Sequence, residues 1–234
     1  MAVSNNLQFG TKALRQSFHQ SDVALQVYFL SLIVNEAPGW LPAREVLDYA
    51  ALAKKNLDAL ITESKETERV GMLYDQIGIV YYKQRDWPNA LENYRLAIEW
   101  EEKTQQYDQL GGTYHQIGML YHAQRDWPNA LENYRRAIES YEKTQQYDQL
   151  GGTYHQIGMV YEKQLDWPKA AQMYIQSHNL YTSYDPQSPD ISIVLNSAVR
   201  LLNKMIEFRV EIPEELKRIT AKLRRGKNIK RKPA

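Results

Sequence analysis

Three histidines have the residue type and spacing that could do chemistry. His115 and His122 stand seven residues apart, which puts both on one face of a helix, and His155 follows His115 by forty positions. Joined by a carboxylate such as Asp75 or Glu162, these imidazoles could form a zinc set, which takes three or four ligands at about 2 Å. His155 would have to reach in from a neighbouring helix about 8–10 Å away, axis to axis. A solvated imidazole, neutral near pH 7 and charging in mild acid, needs no such alignment and is the expected state. The chain has no cysteine, which removes thiolate ligands, disulfides and a cysteine nucleophile together. No nucleophile–base arrangement emerges. Gly111-Gly112 and Gly151-Gly152 lack the Lys-Ser/Thr of a phosphate loop and read as loosening the start of a long helix. The expectation is a protein without cofactor, metal or enzymatic activity.

The elements that must position these side chains come from a duplication. Glu102 to Met119 (EKTQQYDQLGGTYHQIGM) recurs at Glu142 to Met159, and Gln84 to Arg95 (QRDWPNALENYR) recurs at Gln124 to Arg135, both displaced by forty. A fixed period of this size marks a repeat array. Gly78, Gly118 and Gly158 align, each inside Tyr-x-x-Ile-Gly-x-x-Tyr, a spacing that lies along one helix face. Glycine in mid-helix costs roughly 1 kcal/mol, so a neighbouring helix is expected to approach closely there. Asp86-Trp87-Pro88, Asp126-Trp127-Pro128 and Asp166-Trp167-Pro168 then open a second helix, Pro suiting its first turn. That helix carries Ala90, Tyr94 and Ala97, repeated as Ala130, Tyr134 and Ala137. The third copy keeps Ala170 and Tyr174 but has Ser177, where the array is expected to be ending. The small residues let helices pack closely and the tyrosine is expected to fill the gap between repeats.

These residues resemble the tetratricopeptide repeat family, over roughly Gly71 to Tyr181. The resemblance implies an all-α fold, a right-handed superhelical solenoid of antiparallel helix hairpins. Three features depart from the family pattern. The period is forty where the family has thirty-four, Arg85, Arg125 and Leu165 stand where glycine is common, and the terminal proline is absent. The implied organisation is a helical cap over 1–66, three repeats over 67–184, capping helices over 185–225 and a basic tail over 226–234. In the flanks, Ser21–Glu36 and Pro42–Ser64 read as helices. One further helix is opened by Ser188-Pro189 and a last one by Pro213-Glu214-Glu215.

The resemblance also implies a concave groove lined by the first helix of each hairpin. Its residues would be Asp75, Ile79 and Tyr82, then His115, Met119 and His122, then His155, Met159 and Glu162. Lys83, Ala123 and Lys163 would lie at the rim, with Gln76, Gln116 and Gln156 adjacent. A methionine row is adaptable and suits a peptide or amphipathic helix, although methionines at this spacing also serve plain packing. The lysines and asparagine with which family members grip acidic chaperone tails are not at these positions, so that role does not carry over.

Net charge is +1, but nine of the 29 basic residues follow Glu215, where there is no acid. The other 20 stand against 28 acids, so residues 1–216 carry about −8. An acidic body is not the footprint of a nucleic-acid-binding domain. The basic tail, Lys222, Arg224, Arg225, Lys227, Lys230, Arg231 and Lys232, supports a second reading, a nucleic-acid-associated or signalling regulator that uses this tail. It has no interleaved aromatics for base stacking. No secretory signal and no membrane span is read from the sequence, and a cytoplasmic location is expected. The first reading is a protein-interaction scaffold or adaptor that binds another protein in the groove.

Overall fold

The computed structural model describes residues 22–36, 41–63 and 69–229, and among them are ten α-helices and no strand. The chain divides into two compact units, residues 1–109 and 110–234.

The first unit holds α1 (Val23–Glu36), α2 (Ala43–Glu63), α3 (Val70–Lys83) and α4 (Trp87–Lys103). Its core is Leu30, Ala50, Ala53, Leu57, Ile77, Val80, Tyr94 and Ala97, all fully buried. Between the helices run Ser31 Oγ to Gln76 Oε1 at 3.1 Å, Asn56 Nδ2 to Gln26 Oε1 at 2.9 Å and a Lys54–Glu92 ion pair at 3.4 Å.

The second unit contains most of α5 (Tyr107–Ala123), then α6 (Trp127–Thr144), α7 (Tyr147–Lys163), α8 (Trp167–Tyr184), α9 (Asp190–Glu207) and α10 (Glu214–Ile229). Successive helices pair as hairpins, and α9 with α10 closes the last of them over a core that includes Leu201, Leu202, Met205 and Leu216. The helices expected over 21–36, 42–64 and after 188 and 213 are present, with ends shifted by one or two residues.

Two glycines per hairpin explain why the helices approach so closely. A Cβ on Gly78, Gly118 or Gly158 would lie 2.6 Å from the ring of Tyr94, Tyr134 or Tyr174, each on the second helix of the same hairpin. The tyrosine therefore fills the hairpin itself, where the sequence suggested the gap between repeats. Gly111 and Gly151 serve the same purpose about two turns earlier, facing the rings of Tyr141 at 2.7 Å and Tyr181 at 3.0 Å. They are packing sites, which corrects the expectation that they loosen the helix start. Gly71 faces Glu101 Cγ at 2.8 Å, so this second site was legible only once Glu101, Tyr141 and Tyr181 were seen as one position. Ser177, where the sequence pattern breaks, is fully buried and its hydroxyl donates to the Gly151 carbonyl at 2.7 Å. A polar residue is tolerated there because its hydrogen bond is made inside the hairpin.

The turn within each hairpin is a repeated stop signal. Arg85, Arg125 and Leu165 all adopt φ 62°, the left-handed region that favours glycine. The next amide reaches back to the carbonyl of Tyr81, Tyr121 or Tyr161 at 2.9 Å, which satisfies a helix-end acceptor. Asp86, Asp126 and Asp166 then cap the following helix, each accepting the amide three residues on. Leu165 is 69% exposed, so it has little burial to lose. Leu165→Gly is expected to raise the unfolding free energy by about 0.5–1 kcal/mol, the relief of a left-handed Cβ less glycine's added chain entropy. Urea unfolding checks this, and an unchanged or lower midpoint would show that the turn does not strain the leucine.

Candidate functional site

Within the second unit, side-chain bonds tie the first helices α5, α7 and α9 to one another. His115 Nδ1 lies 2.9 Å from Thr153 Oγ1, joining α5 to α7. Thr153 already donates its hydroxyl proton to the Gln149 carbonyl at 2.9 Å, so it must accept from His115, which fixes the imidazole as the Nδ1–H tautomer. The ring packs 5.4 Å from that of Tyr134, and burial lowers its pKa to about 4. One repeat later, His155 Nε2 lies 2.9 Å from Ser197 Oγ, joining α7 to α9, with Tyr174 alongside at 5.4 Å. Burial and then the Arg200 charge push His155 down, against the opposing pull of Asp190 and Glu162. His122 sets its ring 5.5 Å from Trp127 and is pushed down by burial and by Lys163. The solvated groove histidine expected from the sequence is thus corrected. His115 and His155 are bonds between hairpins, because the neighbouring first helix presents a hydroxyl where solvent was supposed. Among the described residues, no group of three His, Asp or Glu side chains is placed to hold a metal ion.

Glu162 occupies the same repeat position as Tyr82 and His122 and behaves differently. It is buried and accepts four bonds: Tyr174 Oη at 2.9 Å and Arg200 Nη2 at 3.0 Å on Oε2, Arg200 Nε at 3.2 Å and Lys204 Nζ at 3.0 Å on Oε1. Burial alone would raise its pKa, but the bonds from Arg200, Lys204 and Tyr174 win and hold it at about 2.

Met119 is half-buried against the cluster of Ala130, Tyr134, Ile157 and Val160, and Met159 against that of Ala170, Tyr174, Ala198 and Leu201. Gln116 and Gln156 are half-buried and Ala123 and Lys163 exposed. In the first unit, Asp75, Ile79 and Tyr82 are half-buried, with the Tyr82 ring 5.4 Å from Trp87 and its hydroxyl pKa raised by burial. Of the basic tail, Lys222, Arg224, Arg225 and Lys227 lie on the backbone of α10, their side chains outside the described residues. Lys230, Arg231 and Lys232 lie wholly outside them.

Sequence reasoning missed Thr153, Tyr174, Ser197, Arg200 and Lys204 as partners of the expected residues. One signal was available. Within a nearly copied block, His122 becomes Glu162, and Arg200 and Lys204 stand one turn apart on the helix that follows.

Residues 69–143 match the tetratricopeptide repeat family. No curated protein matches the chain in sequence. Among solved structures, BtubC (BKLC) from P. vanneervenii is similar at TM-score 0.70 and 14% identity, over 98% of this chain and 92% of its own. A putative kinesin light chain from Podosopora anserina with nearly identical TPR-like repeats is similar at TM-score 0.62 and 13% identity, over 88% and 98%. The apo form of RapI is similar at TM-score 0.66 and 13% identity, over 89% of this chain and 56% of its own. At these identities the likeness shows the fold alone. Among the described residues, no helix is long and apolar enough to cross a membrane. The chain is all-α, its fold is that of solved tetratricopeptide-like repeat structures, and its residues 69–143 carry the family's repeat.

Proposed function

We propose that this protein is a non-catalytic interaction scaffold that binds a segment of another protein on the face formed by its first helices. The observation that carries the reading is the joined surface of α5, α7 and α9. His115–Thr153, His155–Ser197 and Glu162–Arg200 bonds hold three helices side by side, while Met119, His122, Gln156 and Met159 on that surface remain half-exposed. A rigid, mixed apolar and polar face of this kind suits a peptide or an amphipathic helix, because little of the face has to be ordered on binding. The repeat's length of forty belongs to the same reading, as in scaffolds with long repeats.

Replacing Met119 and Met159 by Glu would disturb the packing they share with the core, so a cleaner test uses the absence of cysteine. A photo-crosslinker attached at Gln156→Cys is expected to trap a protein partner from the native host. The same label at Glu139→Cys, an exposed position on the second helix α6, is expected to trap none. Equal trapping by both labels, or by neither, would count against a first-helix binding face.

A further inference from the structure

The ion cluster at Glu162 has more positive charge than it uses. The carboxylate is only 9% exposed and has both oxygens doubly occupied, whereas Arg200 is 52% and Lys204 41% exposed. Arg200 bonds Glu162 through Nε and one Nη, and Lys204 gives it one of three ammonium protons. Lys163 follows Glu162 in sequence on α7 and is exposed. Its charge is felt at His122 and that of Arg200 at His155, so the cationic field extends along the face from α9 to α5. Arg200 and Lys204 set two positive charges against the single Glu162 carboxylate, within a body whose overall charge is negative.

We propose that Arg200, Lys204 and Lys163 form a docking subsite for an acidic segment of the partner protein, and that Glu162 is its built-in competitor. This rests on the partner-binding face proposed above and names the chemistry of what binds there. Charge complementarity favours such an occupant: a guanidinium already oriented by one carboxylate presents its remaining donors without further ordering, and Lys204 adds a second exposed charge on the same carboxylate. Glu162 holds the cations in place while cancelling some of their charge. Removing its charge, with its shape kept, should strengthen capture of an acidic chain.

The probe is a fluorescein-labelled, glutamate-rich peptide, with its glutamine counterpart as control, followed by anisotropy on the full chain at low and physiological salt. The glutamate peptide is expected to bind in a salt-dependent way and the glutamine peptide not to bind. Arg200→Gln with Lys204→Gln should weaken binding roughly tenfold or more, and Glu162→Gln, which still accepts from Tyr174, should strengthen it several-fold. Circular dichroism melts keep loss of fold apart from loss of the subsite. The proposal is overturned if the double variant binds as well as the native chain, since the basic tail is then the binder. It is equally overturned by absence of binding, by weakening in Glu162→Gln, or by displacement with inorganic phosphate at concentrations that match the peptide's carboxylates. Trapping by the Gln156→Cys label that persists undiminished in the double variant would sink the acidic subsite while leaving the binding face standing.

Discussion

Gly118→Ala is expected to destabilise the protein by up to about 2 kcal/mol, and Gly112→Ala on the same helix to stabilise it by up to about 1 kcal/mol. Helix propensity favours alanine at both positions by the same amount, so the difference between them isolates packing. At Gly118 a methyl would stand 2.6 Å from the ring of Tyr134, a residue with no exposed surface. At Gly112 a methyl would meet the Tyr141 hydroxyl at 4.0 Å, an ordinary contact. Overpacking at the first site costs about 1–3 kcal/mol, which exceeds the propensity gain, whereas nothing opposes that gain at the second. Urea unfolding of the two variants reads the difference directly. A double-mutant cycle tests its cause: in a Tyr134→Leu background the Gly118→Ala penalty should vanish or reverse. If the penalty survives there, the ring is not what the glycine makes room for.

That contrast also shows where sequence reasoning had enough to work with. Gly78, Gly118 and Gly158 recur beside Tyr and Ile at helical spacing, so a helix face, a close neighbour and a hairpin follow from the pattern. The tandem Gly111-Gly112 gave no such lead. Its two members look alike in sequence, yet one meets the Tyr141 ring and the other only its hydroxyl at an ordinary contact distance, a difference that depends on the rotation of α5 about its axis. The proposed binding face was legible as a set of helix positions and illegible as chemistry. Periodicity placed His115 and Met119 on the face but could not show that α7 supplies Thr153, or that the methionine packs against a cluster containing Ile157 and Val160. Copied blocks hide such pairings, because the partner of each residue lies in the next copy. The break in the copying, His122 to Glu162, was the informative place: the partner there is the basic pair of α9, and the sequence of α9 is no longer a repeat.

Acid should destabilise the second unit over two pH ranges, in the upper of which His115 titrates. Its imidazole has a pKa near 4 in the folded chain because burial disfavours the charged ring, against 6.5 for the free side chain. The unfolded state therefore binds the proton first. Folded stability is complete above about pH 6.5 and declines as pH falls towards 4, by roughly 2–3 kcal/mol from this group. Glu162 acts lower, because its folded pKa of about 2 lies below the ordinary 4.5. Its contribution is present above pH 4.5 and is lost only as pH falls from there towards 2. The half-exposed Arg200 and Lys204 screen that term to about 1 kcal/mol. His115→Gln keeps an N–H donor for Thr153 and cannot charge, so its melting temperature should fall less than that of the native chain between neutral pH and pH 4.5. A residual slope from His122 and His155, both also pushed down by burial, should remain. Parallel slopes for native and variant chains would mean that burial does not hold His115 neutral.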